Sequence, residues 1–218
     1  MARGELRVIA EATPEELDAC RRLLPGLAAR FEVFPVPPLE RPALRAIFER
    51  VARDRGARSR RALASGALDR VLGLFARFRP YDVLPGPAVP FLRGLLEGDG
   101  PTVTPDAATE AFARDTGLPD LFLRDELPLD STAVVDYFRD RVIGQEAACR
   151  EAAAVATVFK AGLGDPRRPL ASLLFAGPTG VGKTEMAKTL ARFFFACGDR
   201  PDERLIRLDM SEYAGYDA

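Results

Sequence analysis

Residues 177–184 read Gly177-Pro178-Thr179-Gly180-Val181-Gly182-Lys183-Thr184 and carry the clearest chemistry in the chain. Their spacing is GxxxxGK[ST], the Walker A pattern. A nucleoside triphosphate brings several negative charges close to the backbone. A loop of this kind bends so that successive N–H groups point inward and form a nest for an anion. Glycines such as Gly180 and Gly182 reach the backbone angles this needs and leave no Cβ in the way. A helix beginning at Lys183 would aim its N-terminus at the same anion. In that arrangement Lys183 reaches the β- and γ-phosphates, and the Thr184 hydroxyl serves Mg²⁺. An ordinary glycine turn before a helix does not account for Lys-Thr at this spacing. The base is read as adenine. The sequence has no asparagine, and Lys160, Lys183 and Lys188, its lysines, do not begin a KxD segment of the type that reads guanine.

Such a loop must sit between a strand and a helix. The largely apolar run at 170–176 predicts a strand covered on both faces, and residues 183–197 predict the helix, with Gly198 past its end. Upstream, 146–161 is alanine-rich and helical, and Gly162 and Gly164 stop it. Downstream, "RLIRLD" at 204–209 predicts another strand. The N-terminal half predicts strands at 5–10 and 31–36. Between them Thr13-Pro14-Glu15-Glu16 forms a capping box that starts a helix. Helices are expected at 42–55, across 58–96 and from Thr104 to Asp115. In the second of these Leu68, Val71, Leu72, Phe75 and Phe78 share one face. Residues 118–129 are rich in acids and proline and are read as a linker.

The 218 residues are 47% apolar and 29% charged with a net charge of −1, which describes a globular chain and gives no basic footprint for nucleic acid. There is no histidine, so Ser-His and Cys-His pairs and His-ligated metals are excluded. Cys20, Cys149 and Cys197 are widely spaced and are read as reduced thiols. Glu5 stands where a signal peptide needs an apolar run, and no apolar run approaches the ~20 residues of a membrane span. The expected location is therefore the cytoplasm.

At "VIGQEAA" (142–148), "GPTGVGKTEMAKTLARFFF" (177–195) and "IRLDMSEY" (206–213), the sequence resembles the Clp-type AAA+ unfoldases, the ClpA/ClpB/ClpC group. These carry two ATPase modules in one chain, and the match is to the beginning of the second. "GELRVIAEATPEEL", "LAARFEVFPVPP" and "ARFRPYDVLPGPAVPFLRGLL" look like the sensor-1 strand, arginine-finger segment and helical lid of the first module. The resemblance implies an incomplete α/β fold of the P-loop NTPase, AAA+ type, with a mainly α-helical lid in the N-terminal half. It divides the chain into a remnant of the first module (1–57), its lid (58–117), a linker (118–130) and a truncated second module (131–218). It implies ATP and Mg²⁺ as cofactors, with Val142 and Ile143 against adenine and 177–184 on the phosphates. Plain core packing is the alternative for Val142 and Ile143. Arg30 matches the second arginine of the family's usual pair, a finger acting in trans, although Ala29 replaces the first; a plain surface arginine is the alternative. Ala12-Thr13 and Gly86-Pro87 also depart from the family's pattern, which implies a first module specialised away from hydrolysis. The implied partners are homologous subunits in a hexamer, unfolded or aggregated proteins, and for some members a protease, with neither nucleic acid nor membrane.

Hydrolysis in this family uses a Walker B strand, four apolar residues followed by Asp-Glu. "LIRLDMSE" at 205–212 does not fit, because Arg207 interrupts the run and no acid follows Asp209. The chain is therefore expected to be a portion of a longer unfoldase, with turnover by the chain itself in doubt. A non-hydrolysing binding or ring-assembly module is the alternative, and a P-loop kinase using Asp209 a more remote one.

Overall fold

The computed structural model describes residues 7–165, 168–195 and 200–213. The chain divides into two compact units, Met1–Pro38 and Leu39–Ala218.

In the first unit, helix α1 (Pro14–Leu23) starts on the expected capping box: Thr13 Oγ1 accepts from Glu16 N at 3.2 Å and the Glu16 carboxylate accepts from Thr13 N at 2.8 Å. A short α2 (Pro25–Ala28) follows, and neither helix has a buried residue. The expected strand at 31–36 is not formed: among the described residues it has no pairing partner, and Phe34 and Val36 are exposed. Of the strand expected at 5–10, residues 7–10 are irregular, and Glu5 and Leu6 lie outside the described residues.

The second unit begins with α3 (Arg41–Ser59), longer than its expected span. The helical pattern expected across 58–96 is carried by two helices, α4 (Ala67–Phe78) and α5 (Ala88–Glu97). Two-residue strands β1 (Ala62–Leu63) and β2 (Thr102–Val103) pair in parallel, Ala62 with Thr102 and Leu63 with Val103. Helix α6 (Pro105–Thr116) is capped by Thr104, which accepts from Ala107 N at 3.1 Å, and ends at Gly117 with φ +74°. The apolar face read from α4 packs the centre: Leu68, Val71 and Phe75 are buried with Leu74, against Phe48, Leu92, Leu96 and Phe112. Phe75 meets Phe91 and Phe112 edge to face, both at 5.5 Å. Each such side chain removed from water contributes about 1.5–3 kcal/mol.

The stretch read as a linker is packed. It contains α7 (Asp120–Leu123), whose Phe122 and Leu123 are fully buried. Arg70 on α4 donates to the Leu123 carbonyl at 2.6 Å and to Thr109 Oγ1 at 2.8 Å. The prolines and acidic residues interspersed there masked two apolar anchors. Beyond it, α8 (Ser131–Arg139) starts on Asp130, which accepts from Thr132 N and Ala133 N, and α9 (Glu146–Ala161) ends at Gly162 in the left-handed region. Lys160 on α9 donates to the carbonyls of Leu121 and Arg124. Arg77 on α4 donates to Asp125 and to the Lys160 carbonyl, each at 2.7 Å.

Helix α10 (Lys183–Phe194) ends before the expected 197, and Cys197 and Gly198 lie outside the described residues. Its Phe193 and Phe194 close around Phe122, with ring centroids at 5.8 and 5.3 Å, and Phe159 lies 4.9 Å from Phe122. The runs at 170–176 and 205–209 are extended but belong to no strand. A strand is defined by its neighbours' hydrogen bonds, and among the described residues neither run has them. Leu174 is 92% exposed and Ile206 93%, the reverse of a covered strand. The α/β character therefore rests, among the described residues, on the β1–β2 pair and on the loop–helix unit at 177–194. No helix is long and apolar enough to cross a membrane among the described residues.

Candidate phosphate-binding site

The phosphate loop follows the extended run and leads directly into α10. Gly180 has φ +88° and Gly182 has φ +95°, a region that L side chains rarely adopt. Gly182 is also confined in space: a Cβ there would lie 3.3 Å from Val142 Cγ1. A Cβ on Gly180 would meet nothing within 4 Å, so backbone angle alone calls for glycine there. Gly182 is the N-cap of α10, and no side chain caps that end. The first turn of a helix leaves backbone donors free, and here they stand beside the loop.

Lys183 turns back over its own loop. Its Nζ donates to the carbonyls of Gly177 at 2.7 Å and Pro178 at 2.6 Å. Thr184 is exposed in the first turn of α10. The residues fit a nucleotide polyphosphate: two glycines in the left-handed region, an uncapped helix start and an ammonium group held at the loop. Thr184 supplies a hydroxyl of the kind that would complete a Mg²⁺ shell.

The turn between α8 and α9 packs beneath the loop. Val142 is buried with Phe138, Cys149 and Met186, and supports Gly182. Ile143 is 87% exposed beside it. The two residues read as a pair thus occupy different environments. Core packing accounts for Val142, whereas Ile143 presents an apolar surface to solvent. Gly144 takes φ +78°, and Gln145 Nε2 donates to the Val181 carbonyl at 3.1 Å. Arg139 closes the turn from below, donating to the Glu146 carboxylate through both Nε and Nη2 and to Asp136 at 2.8 Å. The Arg139 hydrogen bonds hold the Glu146 carboxyl below the usual carboxylate range. Burial pushes the Cys149 thiol up, away from the reactive thiolate. Sequence reasoning missed Gln145 and Arg139. Both were visible beside the motif, but their roles depend on a contact across the fold.

Arg30 lies in the first unit, exposed, just past the end of α2. Arg207 and Asp209 face each other at 3.5 Å in the extended run at 205–209. An open concavity of about 710 Å³ is lined by residues such as Arg61, Phe91, Leu95, Ala111 and Arg114 and includes none of 177–184. Chemistry, not cavity size, therefore marks the site.

Comparison with known proteins agrees with the loop. The model of the family described as "AAA domain (Cdc48 subfamily)" matches residues 168–216. The chaperone protein ClpB of Nitratidesulfovibrio vulgaris is 43% identical over 111 residues, covering 51% of this chain and 12% of its own length. The mitochondrial chaperone protein ClpB3 of Oryza sativa subsp. japonica is 44% identical over 111 residues, covering 51% of this chain and 11% of its own. This chain thus spans about an eighth of the length of the curated relatives it matches. A closed-state cryo-EM structure of Hsp104 with ATPγS and FITC-casein superposes with TM-score 0.63 at 27% identity, over 100% of this chain and 40% of that one. The P-loop NTPase fold of AAA+ type expected from the sequence is the fold these matches give, and the chain is similar to a segment of the Clp-type AAA+ chaperones.

Proposed function

We propose that this chain binds ATP with Mg²⁺ at residues 177–184, as part of a ClpB-like unfoldase or disaggregase. The observation that carries the proposal is the loop itself: Gly180 and Gly182 in the left-handed region, with Lys183 held over the loop at the start of α10. Gly177, Pro178, Thr179, Gly180, Val181 and Gly182 would surround the phosphates with backbone N–H groups, proline excepted. Lys183 would exchange its two carbonyl partners for phosphate oxygens, and Thr184 would serve Mg²⁺. When bound, Mg²⁺ neutralises charge between the β- and γ-phosphates. Ile143, and through packing Val142, would border the base.

The proposal extends to the larger assembly. Residues 1–57 and 58–117 would be the end and lid of a first module, and 131–218 the start of a second. The partners would be homologous subunits in a hexameric ring and unfolded or aggregated proteins, with a protease as an optional partner and Arg30 reaching a neighbouring nucleotide. The cytoplasm is the proposed location. The sequence holds no run of four apolar residues followed by Asp-Glu. This favours binding over turnover for the chain taken alone.

Titration of the purified chain with ATP–Mg²⁺, alongside phosphate release, tests this reading. The expected result is saturable binding that Lys183→Ala weakens at least ~10-fold, the size of a lost hydrogen bond to a charged group. Equal binding by the Lys183→Ala chain would sink the assignment. Lys183-dependent phosphate release would overturn the reading as a binding segment without turnover.

A further inference from the structure

The phosphate loop rests on the turn between α8 and α9 at two points. Val142 fills the space a Cβ on Gly182 would need, and the Val181 carbonyl is held by Gln145 Nε2 at 3.1 Å. A carbonyl accepts and does not donate, so this contact also fixes which way the Gln145 carboxamide is turned. The Val181–Gly182 peptide is trans, and a planar trans peptide directs its C=O and its N–H to opposite sides. Holding the Val181 carbonyl against the turn therefore turns the Gly182 N–H away from it, toward the side of the loop left open for a ligand. Val181 stands between two glycines, and glycine backbones reorient at little cost. The flanking sequence thus does little to fix this peptide, and the Gln145 contact supplies the constraint. Gln145 is itself held at the start of α9, where Arg139 grips the adjacent Glu146.

We infer that Gln145 is a positioning residue of the anion site: by holding the Val181 carbonyl, it aims the Gly182 N–H at the bound polyphosphate. The inference rests on the ATP-binding reading of residues 177–184. It concerns how one donor is oriented, not whether Lys183 contacts the ligand. The polyphosphate, rather than the nucleoside, is the part of the ligand Gln145 would serve.

The test uses the whole chain labelled with ¹⁵N and ¹³C, with inorganic tripolyphosphate as the probe. Gln145→Leu keeps the volume and removes the donor. Without ligand, its Val181 carbonyl carbon and Gly182 amide nitrogen should shift, while those of Lys183→Ala keep the Gln145 contact. With ligand, Gln145→Leu should bind about tenfold more weakly, and its Gly182 amide should respond less than that of the parent chain. Unchanged resonances, or parent-level affinity, would overturn the inference.

Gln145→Glu covers the case in which the leucine variant fails to fold. Its carboxylate cannot donate near neutral pH and regains a donor when protonated, so its affinity relative to the parent should recover as the pH falls from 7 through the ordinary glutamate value of about 4.3. A deficit independent of pH would overturn the inference, because a packing role alone predicts one. If the parent chain binds no tripolyphosphate, the ATP-binding reading fails. The Gln145 contact then stands or falls on the ligand-free resonances.

Discussion

Phe122 offers the sharpest test of how the second unit is held together. It lies in a stretch whose composition reads as a linker, yet it is 0% exposed. Its ring meets Phe159 edge to face at 4.9 Å, Phe193 at 5.8 Å and Phe194 in a parallel stack at 5.3 Å. Truncating a buried phenylalanine costs about 3–5 kcal/mol in transfer and cavity terms. The three ring partners place Phe122→Ala toward the upper part of that range, since each aromatic pair adds roughly 0.5–1.5 kcal/mol. For a unit of this size one kcal/mol moves the midpoint about 2–4 °C, so about 4–5 kcal/mol lowers Tm by roughly 8–20 °C. Circular dichroism melts of the whole chain, with urea titrations at one temperature, measure this directly. Phe34→Ala is the control: that side chain is 73% exposed, and its loss should change stability by less than ~0.5 kcal/mol. If Phe122→Ala melts within a degree or two of the parent, α7 does not anchor the unit and the stretch is a linker after all.

Two further outcomes follow from the loop and its support. Gly182→Ala places a Cβ at φ +95°, a strained backbone, and 3.3 Å from Val142 Cγ1, which must give slightly; ATP binding should fall at least ~10-fold at a stability cost of about 1–2 kcal/mol, and parent-like binding in a fluorescence titration would contradict the geometry. Acid should weaken the fold in a defined window. Hydrogen bonds from Arg77 and Arg139 lower the Asp125 and Glu146 pKa values in the folded state, so their stabilisation is full above the unfolded-state values near 4 and lost as pH falls through the folded ones. Urea midpoints at pH 6, 4 and 3 should decline, and Arg139→Met should flatten the decline; an identical slope in that variant would show that the Glu146 pairing has no part in it.

The features legible in the sequence are those written in local chemistry. The Thr13 capping box, the Thr104 cap, the Gly117 stop and the apolar face of α4 each depend on residues within a few positions, and each appears as expected. The loop was legible for the same reason, because its glycines and Lys183 act on backbone within the motif. Strands are different. The run at 170–176 has the composition of a buried strand, but pairing depends on neighbours elsewhere, and Leu174 stays exposed. Phe122 and Gln145 escaped notice because their partners are far away in sequence: Phe122 meets rings from α9 and α10, and Gln145 meets a carbonyl 36 positions on.

The inward turn of Lys183 has a consequence for how affinities at this loop are to be read. Its ammonium group already makes two hydrogen bonds at 2.6 and 2.7 Å. An arriving phosphate must take it from those carbonyls, so part of the new attraction replaces an old one. The difference between the parent and Lys183→Ala therefore measures an exchange of partners, not the full attraction between lysine and phosphate. The same exchange makes the carbonyls of Gly177 and Pro178 competitors of the ligand for Lys183. A lysine variant that still binds polyphosphate weakly would do so through the backbone, starting from a loop whose carbonyls no longer hold the ammonium group.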